Sequence, residues 1–212
     1  MIDTILFDLD GTLINTLKDL QEAVNYALAN HNLPLQTIEQ VKNNVGNGVE
    51  KLIERSIGDY DEDVFASCLK EFKEYYSSHL SDFTIPYEGI CEMLEALHKD
   101  YKIGVVSNKY DSAVKSLCKK YFDGLIDVAI GQTEFSNKKP APDTVFLALK
   151  ELDSKKAIFV GDSVVDIQTA RNAKMECISV AWGYRPYEEL AELNDKIINT
   201  PKEIFDYLRL SL

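Results

Sequence analysis

Ile5-Leu6-Phe7-Asp8-Leu9-Asp10-Gly11-Thr12-Leu13 is the stretch on which the reading of the chain turns. An apolar run over residues 4–8 reads as a strand. It ends in two aspartates two positions apart, and a glycine turn follows. In a strand, side chains i and i+2 leave on the same side, roughly 6–7 Å apart along the chain. Two carboxylates crowded at a buried strand tip repel each other and are costly to desolvate. Such a pair implies a cation, a proton or a reaction that uses it.

Working outward, short β runs alternate with helical patterns from about residue 100 onward. Residues 102–106, 126–130, 157–160 and 176–180 read as strands, with a weaker one at 196–198. Between them, residues 111–121, 143–152 and 166–173 keep helical period. Each of these opens on an aspartate suited to an N-cap: Asp111, Asp143 and Asp166. The alternation predicts an α/β fold, a parallel sheet with helices on both faces, which strand 4–8 joins.

Residues 15 to about 80 differ and read as nearly pure helix. Thr16-Leu17-Lys18-Asp19 has the form of a capping box, with Leu17, Leu20, Val24, Ala27 and Leu28 as the apolar stripe behind it. Thr37-Ile38-Glu39-Gln40 is a second cap. Val64, Phe65, Cys68, Leu69, Phe72 and Tyr76 mark a longer helix. The expected division is a core of 1–14 with 84–212 and an inserted helical module of 15–83, placed to act as a lid.

Bulk properties exclude several classes. The chain has 212 residues, 45% hydrophobic and 27% charged, which suits an ordered globular protein. A net charge of −12 argues against nucleic acid and against an anionic membrane as partner. No apolar run reaches the roughly 18 residues of a membrane span, and no secretory leader is read at the amino terminus. Cys68, Cys91, Cys118 and Cys177 are scattered in apolar-periodic settings. They read as buried free thiols, and a cytoplasmic location is expected.

Open α/β sheets bind ligands at the carboxyl ends of their strands. The segments there are Asp8 and Asp10, then Ser107-Asn108-Lys109, then Lys138-Lys139-Pro140, then Gly161-Asp162-Ser163 with Asp166 one turn on. Four segments thus bring carboxylates, a hydroxyl and a lysine to one edge. A carboxylate is a competent nucleophile toward phosphorus, and a second carboxylic acid can protonate the leaving alkoxide. A hydroxyl and an ammonium suit the non-bridging oxygens, and a hard cation such as magnesium suits the carboxylates.

Asp8-Leu9-Asp10-Gly11-Thr12, Ser107-Asn108, Lys139-Pro140 and Gly161-Asp162-Ser163-Val164-Val165-Asp166 resemble, in order and spacing, the four motifs of the haloacid dehalogenase-like hydrolases. The resemblance spans residues 3–184. It implies a Rossmann-like parallel sheet core with an inserted helical cap, and Mg2+ as cofactor. By the resemblance Asp8 is nucleophile and metal ligand. Asp10 is general acid/base, with its backbone carbonyl on the metal. Ser107, Asn108 and Lys139 bind phosphate, Asp162 binds the metal, and Asp166 supports the metal's waters or Lys139. Asp10 favours a phosphatase or a phosphomutase over a dehalogenase. Lys139-Pro140-Ala141-Pro142-Asp143 and Trp182-Gly183-Tyr184 look most like phosphoglycolate phosphatases and their relatives. The family's helix after the fourth motif ends in Ala-Gly, whereas this one ends in Ala173-Lys174, where a left-handed cap costs more.

The expected partner is a small phosphorylated metabolite. Pyrophosphatase, nucleotidase, phosphosugar mutase and non-catalytic phosphate-binding module stay open as alternatives. Gly46 and Asn47 are candidate substrate contacts, as is Lys109, a candidate reader of the leaving group. Arg55 and Lys51 read as surface, and Trp182, Tyr184 and Arg185 as packing, rim or specificity residues. His31, His79 and His98 are assigned no role.

Overall fold

The computed structural model describes residues 2–59 and 61–210. In chain order its strands are β1 (Thr4–Phe7), β2 (Ile14–Asn15), β3 (Ile85–Pro86), β4 (Lys102–Tyr110), β5 (Val128–Gln132), β6 (Ala157–Gly161), β7 (Glu176–Val180) and β8 (Ile197–Ile198). The helices are α1 (Leu17–Asn30), α2 (Ile38–Asn44), α3 (Val49–Ile57), α4 (Glu62–Ser78), α5 (Ile90–Leu97), α6 (Asp111–Phe122), α7 (Asp143–Glu151), α8 (Val164–Asn172), α9 (Tyr187–Ala191) and α10 (Ile204–Leu210). The chain divides into two compact units, Met1–Ile14 with Pro86–Leu212, and Asn15–Ile85. The second boundary falls two residues later than the sequence suggests. Asp19 of α1 explains this, because its carboxylate accepts from the Phe83 and Thr84 amides and from the Thr84 hydroxyl.

The larger unit is a parallel six-stranded sheet in the order β5-β4-β1-β6-β7-β8, and β2 with β3 forms a separate two-stranded one. Thr4 lies opposite both Lys102 and Ala157, and Phe7 opposite both Val105 and Val160. β1 is therefore central and buried along its whole length, the usual state of a strand covered on both faces. On one side Leu6, Val106 and Phe159 pack with Val145 and Ala148 of α7 and with Ile167 and Ala170 of α8. Each large side chain so buried contributes about 1.5–3 kcal/mol.

β4 runs further than expected. Its register against β5 shifts between Val106, opposite Ile130, and Tyr110, opposite Gln132. Ser107, Asn108 and Lys109 thus occupy an irregularity inside the strand rather than a loop after it. A bulge of this kind re-aims side chains without ending the ladder.

Several helix starts differ from the sequence reading. Asp111 and Asp143 are first-turn residues, behind Tyr110 and Pro142 at the cap positions. Ser163, not Asp166, caps α8, and Asp166 completes a capping box from the third position. A carboxylate in the first turn still meets the positive helix end, so the charge preference holds while the cap geometry does not. Thr16 makes no side-chain cap hydrogen bond, and Asp19, which would complete the box, is turned to residues 83 and 84. The Thr37–Gln40 capping box forms in full.

In the helical unit, Leu20, Val24, Ala27 and Leu28 of α1 are buried, as are Leu52 and Ile53 of α3 and Cys68, Phe72 and Tyr76 of α4. The four cysteines are free; three are buried and Cys91 is half-buried.

α8 ends as the missing glycine implies. Lys174 has φ 57°, the Met175 amide reaches Ala170 O at 2.8 Å, and the Lys174 amide reaches Arg171 O at 3.0 Å. This is a Schellman end with a lysine in the left-handed place. Lys174→Gly is expected to stabilise the protein by about 1 kcal/mol, read as a higher urea midpoint at unchanged slope. No gain would mean that the longer side chain repays its own backbone strain.

Candidate active site

The centre of the site is an ammonium between two carboxylates. Lys139 Nζ donates to Asp8 Oδ1 at 2.8 Å and to Asp166 Oδ1 at 2.7 Å. Lys139 is only 4% exposed, and Asp166 1%. Burial alone would lower the lysine pKa. The charges of Asp166 and Asp8 overturn that and raise it, so the ammonium is fixed in its charged form.

The Lys139 backbone is held as firmly. Its amide donates to Asn108 Oδ1 at 2.7 Å, and Asn108 Nδ2 donates to Lys139 O at 3.0 Å. Asn108 therefore clamps the lysine segment through its side chain, a contact its motif does not reveal. Ser107 is buried beside it, its Oγ accepting from the Lys109 amide at 3.3 Å.

Asp166 has both oxygens engaged. Oδ1 takes Lys139, and Oδ2 takes the Ser163 amide at 3.1 Å and hydroxyl at 2.6 Å. Asp162 accepts the Tyr184 amide on Oδ2 at 2.7 Å. Among the described residues no hydrogen bond reaches Asp8 Oδ2 or Asp162 Oδ1. Asp8, Asp162 and Asp166 each offer an oxygen within 4.8 Å of the others. Burial, opposed by Lys139 and reinforced by Asp166 and Asp10, raises the Asp8 pKa to about 7. Burial, then repulsion from Asp166 and Asp8, raises that of Asp162 well above the carboxylate range. Asp8 and Asp166 share one ammonium, and Asp162 brings a third buried acid within reach of them. With Asp166 saturated by donors, Asp8 and Asp162 are the pair that fits a hard, oxygen-seeking cation such as Mg2+.

Asp10 lies beside this group, and its carboxylate pairs with Lys109 Nζ at 3.0 and 3.1 Å. Lys109, expected at the leaving group, is thus buried against the second aspartate of the opening motif. Tyr87, which no motif singles out, belongs to the same neighbourhood. Its phenol pKa is raised by burial and then by the charges of Asp162 and Asp10. A lone tyrosine after Pro86 carries no sequence signal beyond an aromatic. Cys118 is pushed up to about 12 by burial and the Asp10 charge.

Eight of the expected residues, Asp8, Asp10, Ser107, Asn108, Lys109, Lys139, Asp162 and Asp166, thus lie in the sheet unit, at the ends of β1 and β6, in the β4 bulge, in the segment before α7 and in the first turn of α8. Gly46 and Asn47 belong to the other unit, between α2 and α3. There Gly46 has φ 115°, and Asn47 Oδ1 accepts from Arg55 Nη2 at 2.9 Å. Arg55 also donates to Asn44 O at 2.9 Å, so it ties this loop down, and Lys51 pairs with Glu54.

The chain belongs to the haloacid dehalogenase-like hydrolase family, whose sequence model matches residues 5–180. Its curated relatives include phosphoglycolate phosphatases and pyrophosphatases. A phosphoglycolate phosphatase of Aquifex aeolicus is 35% identical over 188 residues, covering 85% of each chain. Pyrophosphatase PpaX of Listeria monocytogenes serotype 4a is 34% identical over 199 residues, covering 90% of this chain and 88% of the relative. A crystal structure from Lactobacillus delbrueckii subsp. bulgaricus, assigned as a phosphoglycolate phosphatase, superposes with a TM-score of 0.90 at 31% identity and covers 98% of both chains.

Proposed function

We propose that the protein is a magnesium-dependent phosphatase of a small phosphorylated metabolite, with phosphoglycolate the first candidate and pyrophosphate the second. The observation that carries the reading is the buried Lys139 ammonium joining Asp8 to Asp166, with the Asp162 carboxylate adjacent.

An Asp8 oxygen attacks phosphorus, an aspartyl-phosphate forms, and the P–O bond to the leaving group breaks. Asp10 gives the departing alkoxide its proton, then takes one from the water that cleaves the acyl phosphate and frees Asp8. Lys139 holds Asp8 and, with Ser107 and the Asn108 backbone, receives the phosphoryl oxygens. A magnesium ion on Asp8, Asp162 and the Asp10 carbonyl would neutralise charge between two anions. Asp166 keeps Lys139 in place. In this reading the helical unit is the cap domain that selects the substrate, through residues that include Gly46 and Asn47. The free cysteines support a cytoplasmic setting.

The test is phosphate release from 2-phosphoglycolate, pyrophosphate, nucleoside monophosphates and a hexose 1-phosphate, each with and without Mg2+. Mg2+-dependent release, strongest for one of the first two, is expected. Conversion of the hexose 1-phosphate to its 6-phosphate without free phosphate would make it a mutase, and silence across the panel would overturn the enzymatic assignment.

A further inference from the structure

The turn after β7, Trp182-Gly183-Tyr184, has no part in the chemistry above, yet it is built around one carboxylate. The Tyr184 amide donates to Asp162 Oδ2 at 2.7 Å. A β-carbon on Gly183 would stand 2.2 Å from Asp162 Cβ, 2.6 Å from its Oδ2 and 2.6 Å from the Gly11 carbonyl oxygen. Gly11, with φ +89°, crowds the same oxygen: a β-carbon there would fall 2.4 Å from Asp162 Oδ2. Trp182 Nε1 donates to Thr12 O at 3.0 Å and so fastens this turn to the one that follows Asp10.

Two glycines from distant parts of the chain therefore box in the Asp162 side chain, an amide fixes one oxygen, and an indole locks the box. Ordinary packing does not need this closeness, because a side chain at either glycine would fill space that the Asp162 carboxylate occupies. The arrangement sets the direction of Oδ1, the oxygen without a hydrogen bond among the described residues.

We infer that the Trp182-Gly183-Tyr184 turn, with Gly11, is the positioning device that aims Asp162 at the cation. It rests on the reading of Asp162 as a cation ligand. The four residues act through Asp162. Partners that orient a ligand in this way are worth about 10- to 100-fold in metal affinity.

The test is calorimetric titration of the full chain with MgCl2, free of substrate, for wild type, Gly183→Ala, Trp182→Phe, Asp162→Asn and the Asp162→Asn/Gly183→Ala double variant. Thermal unfolding without metal is recorded alongside, so that a purely structural cost is seen separately. The expected result is a dissociation constant at least ~10-fold weaker for Gly183→Ala and about 3-fold weaker for Trp182→Phe. In the Asp162→Asn background, Gly183→Ala should add less than about 2-fold, because the ligand it serves is already lost. Wild-type affinity in a folded Gly183→Ala protein, with Asp162→Asn weakened, would overturn the inference. If Gly183→Ala does not fold, Trp182→Phe decides by the same criterion. Equal binding by wild type and Asp162→Asn, or no binding by wild type, would instead overturn the cation site itself, and the inference with it.

Discussion

Asp8→Asn is expected to give a folded protein that releases no phosphate, with turnover down by at least ~10⁴-fold on any substrate the wild type accepts. The amide keeps the shape of the side chain and removes the attacking oxygen anion. Lys139 retains Asp166 at 2.7 Å, so the buried ammonium is not orphaned. The pH dependence of stability checks the same residue independently. The folded-state pKa of Asp8 is raised to about 7 from 3.8, chiefly by burial. The native state therefore holds a proton that the unfolded chain has released over that interval. The resulting stabilisation is complete below about pH 3.8 and is lost as pH rises through about 7. Asparagine has no such slope. In cation-free buffer the melting temperature of Asp8→Asn relative to wild type should rise from pH 5 to pH 8. A difference that stays flat or falls would show that Asp8 is ionised throughout, and turnover retained in the variant would remove it as nucleophile.

Lys139→Met is expected to destabilise the protein by about 3–5 kcal/mol and to abolish activity. Methionine replaces the stem but leaves Asp8 and Asp166 facing each other in a buried site without the ammonium they share, and with Asp162 close by. Removing one partner of a buried ion pair costs far more than the pair contributes, because the remaining charge stays desolvated. Urea unfolding at neutral pH measures the loss. A cost below about 1 kcal/mol would mean that water or movement of Asp8 relieves the charge. Lys138, the adjacent lysine, forms neither of these ion pairs, and the contrast between them follows from the proline after Lys139 and from the Asn108 clamp.

The sheet and the carboxylate cluster were legible because their determinants are local in sequence and converge only through a known topology. Strand 176–180 is placed to the residue. The four strand-end segments needed only the rule that parallel sheets gather ligands at carboxyl ends. What was not legible depends on where the chain goes afterwards. Thr16 and Asp19 carry the letters of a capping box, but residues 83 and 84 outbid the helix for the Asp19 carboxylate. Asp111 donates its cap capacity elsewhere, its Oδ1 accepting from the Gly131 amide at 3.0 Å. α5 carries a weak signal although Ile90, Met93, Leu94 and Leu97 keep helical spacing, because it is short and opens on Gly89 without a polar cap. Lys109 faces Asp10 because of the bulge in β4, and a register shift leaves no mark in composition.

The position of β1 also bears on how the molecule is assembled. It is made before both of its neighbours, which arrive only with Lys102 and Ala157. Until Lys102–Tyr110 is made this oily segment has no ladder at all, and until Ala157–Gly161 follows it has one on a single side, while the helices of 15–85 can meet one another as they appear. Long-range parallel pairing of this kind is slow and leaves open edges for aggregation. The nascent chain is therefore most vulnerable at β1, and the residue proposed to attack phosphorus is seated only when Ala157–Gly161 closes the second side of the strand that carries it.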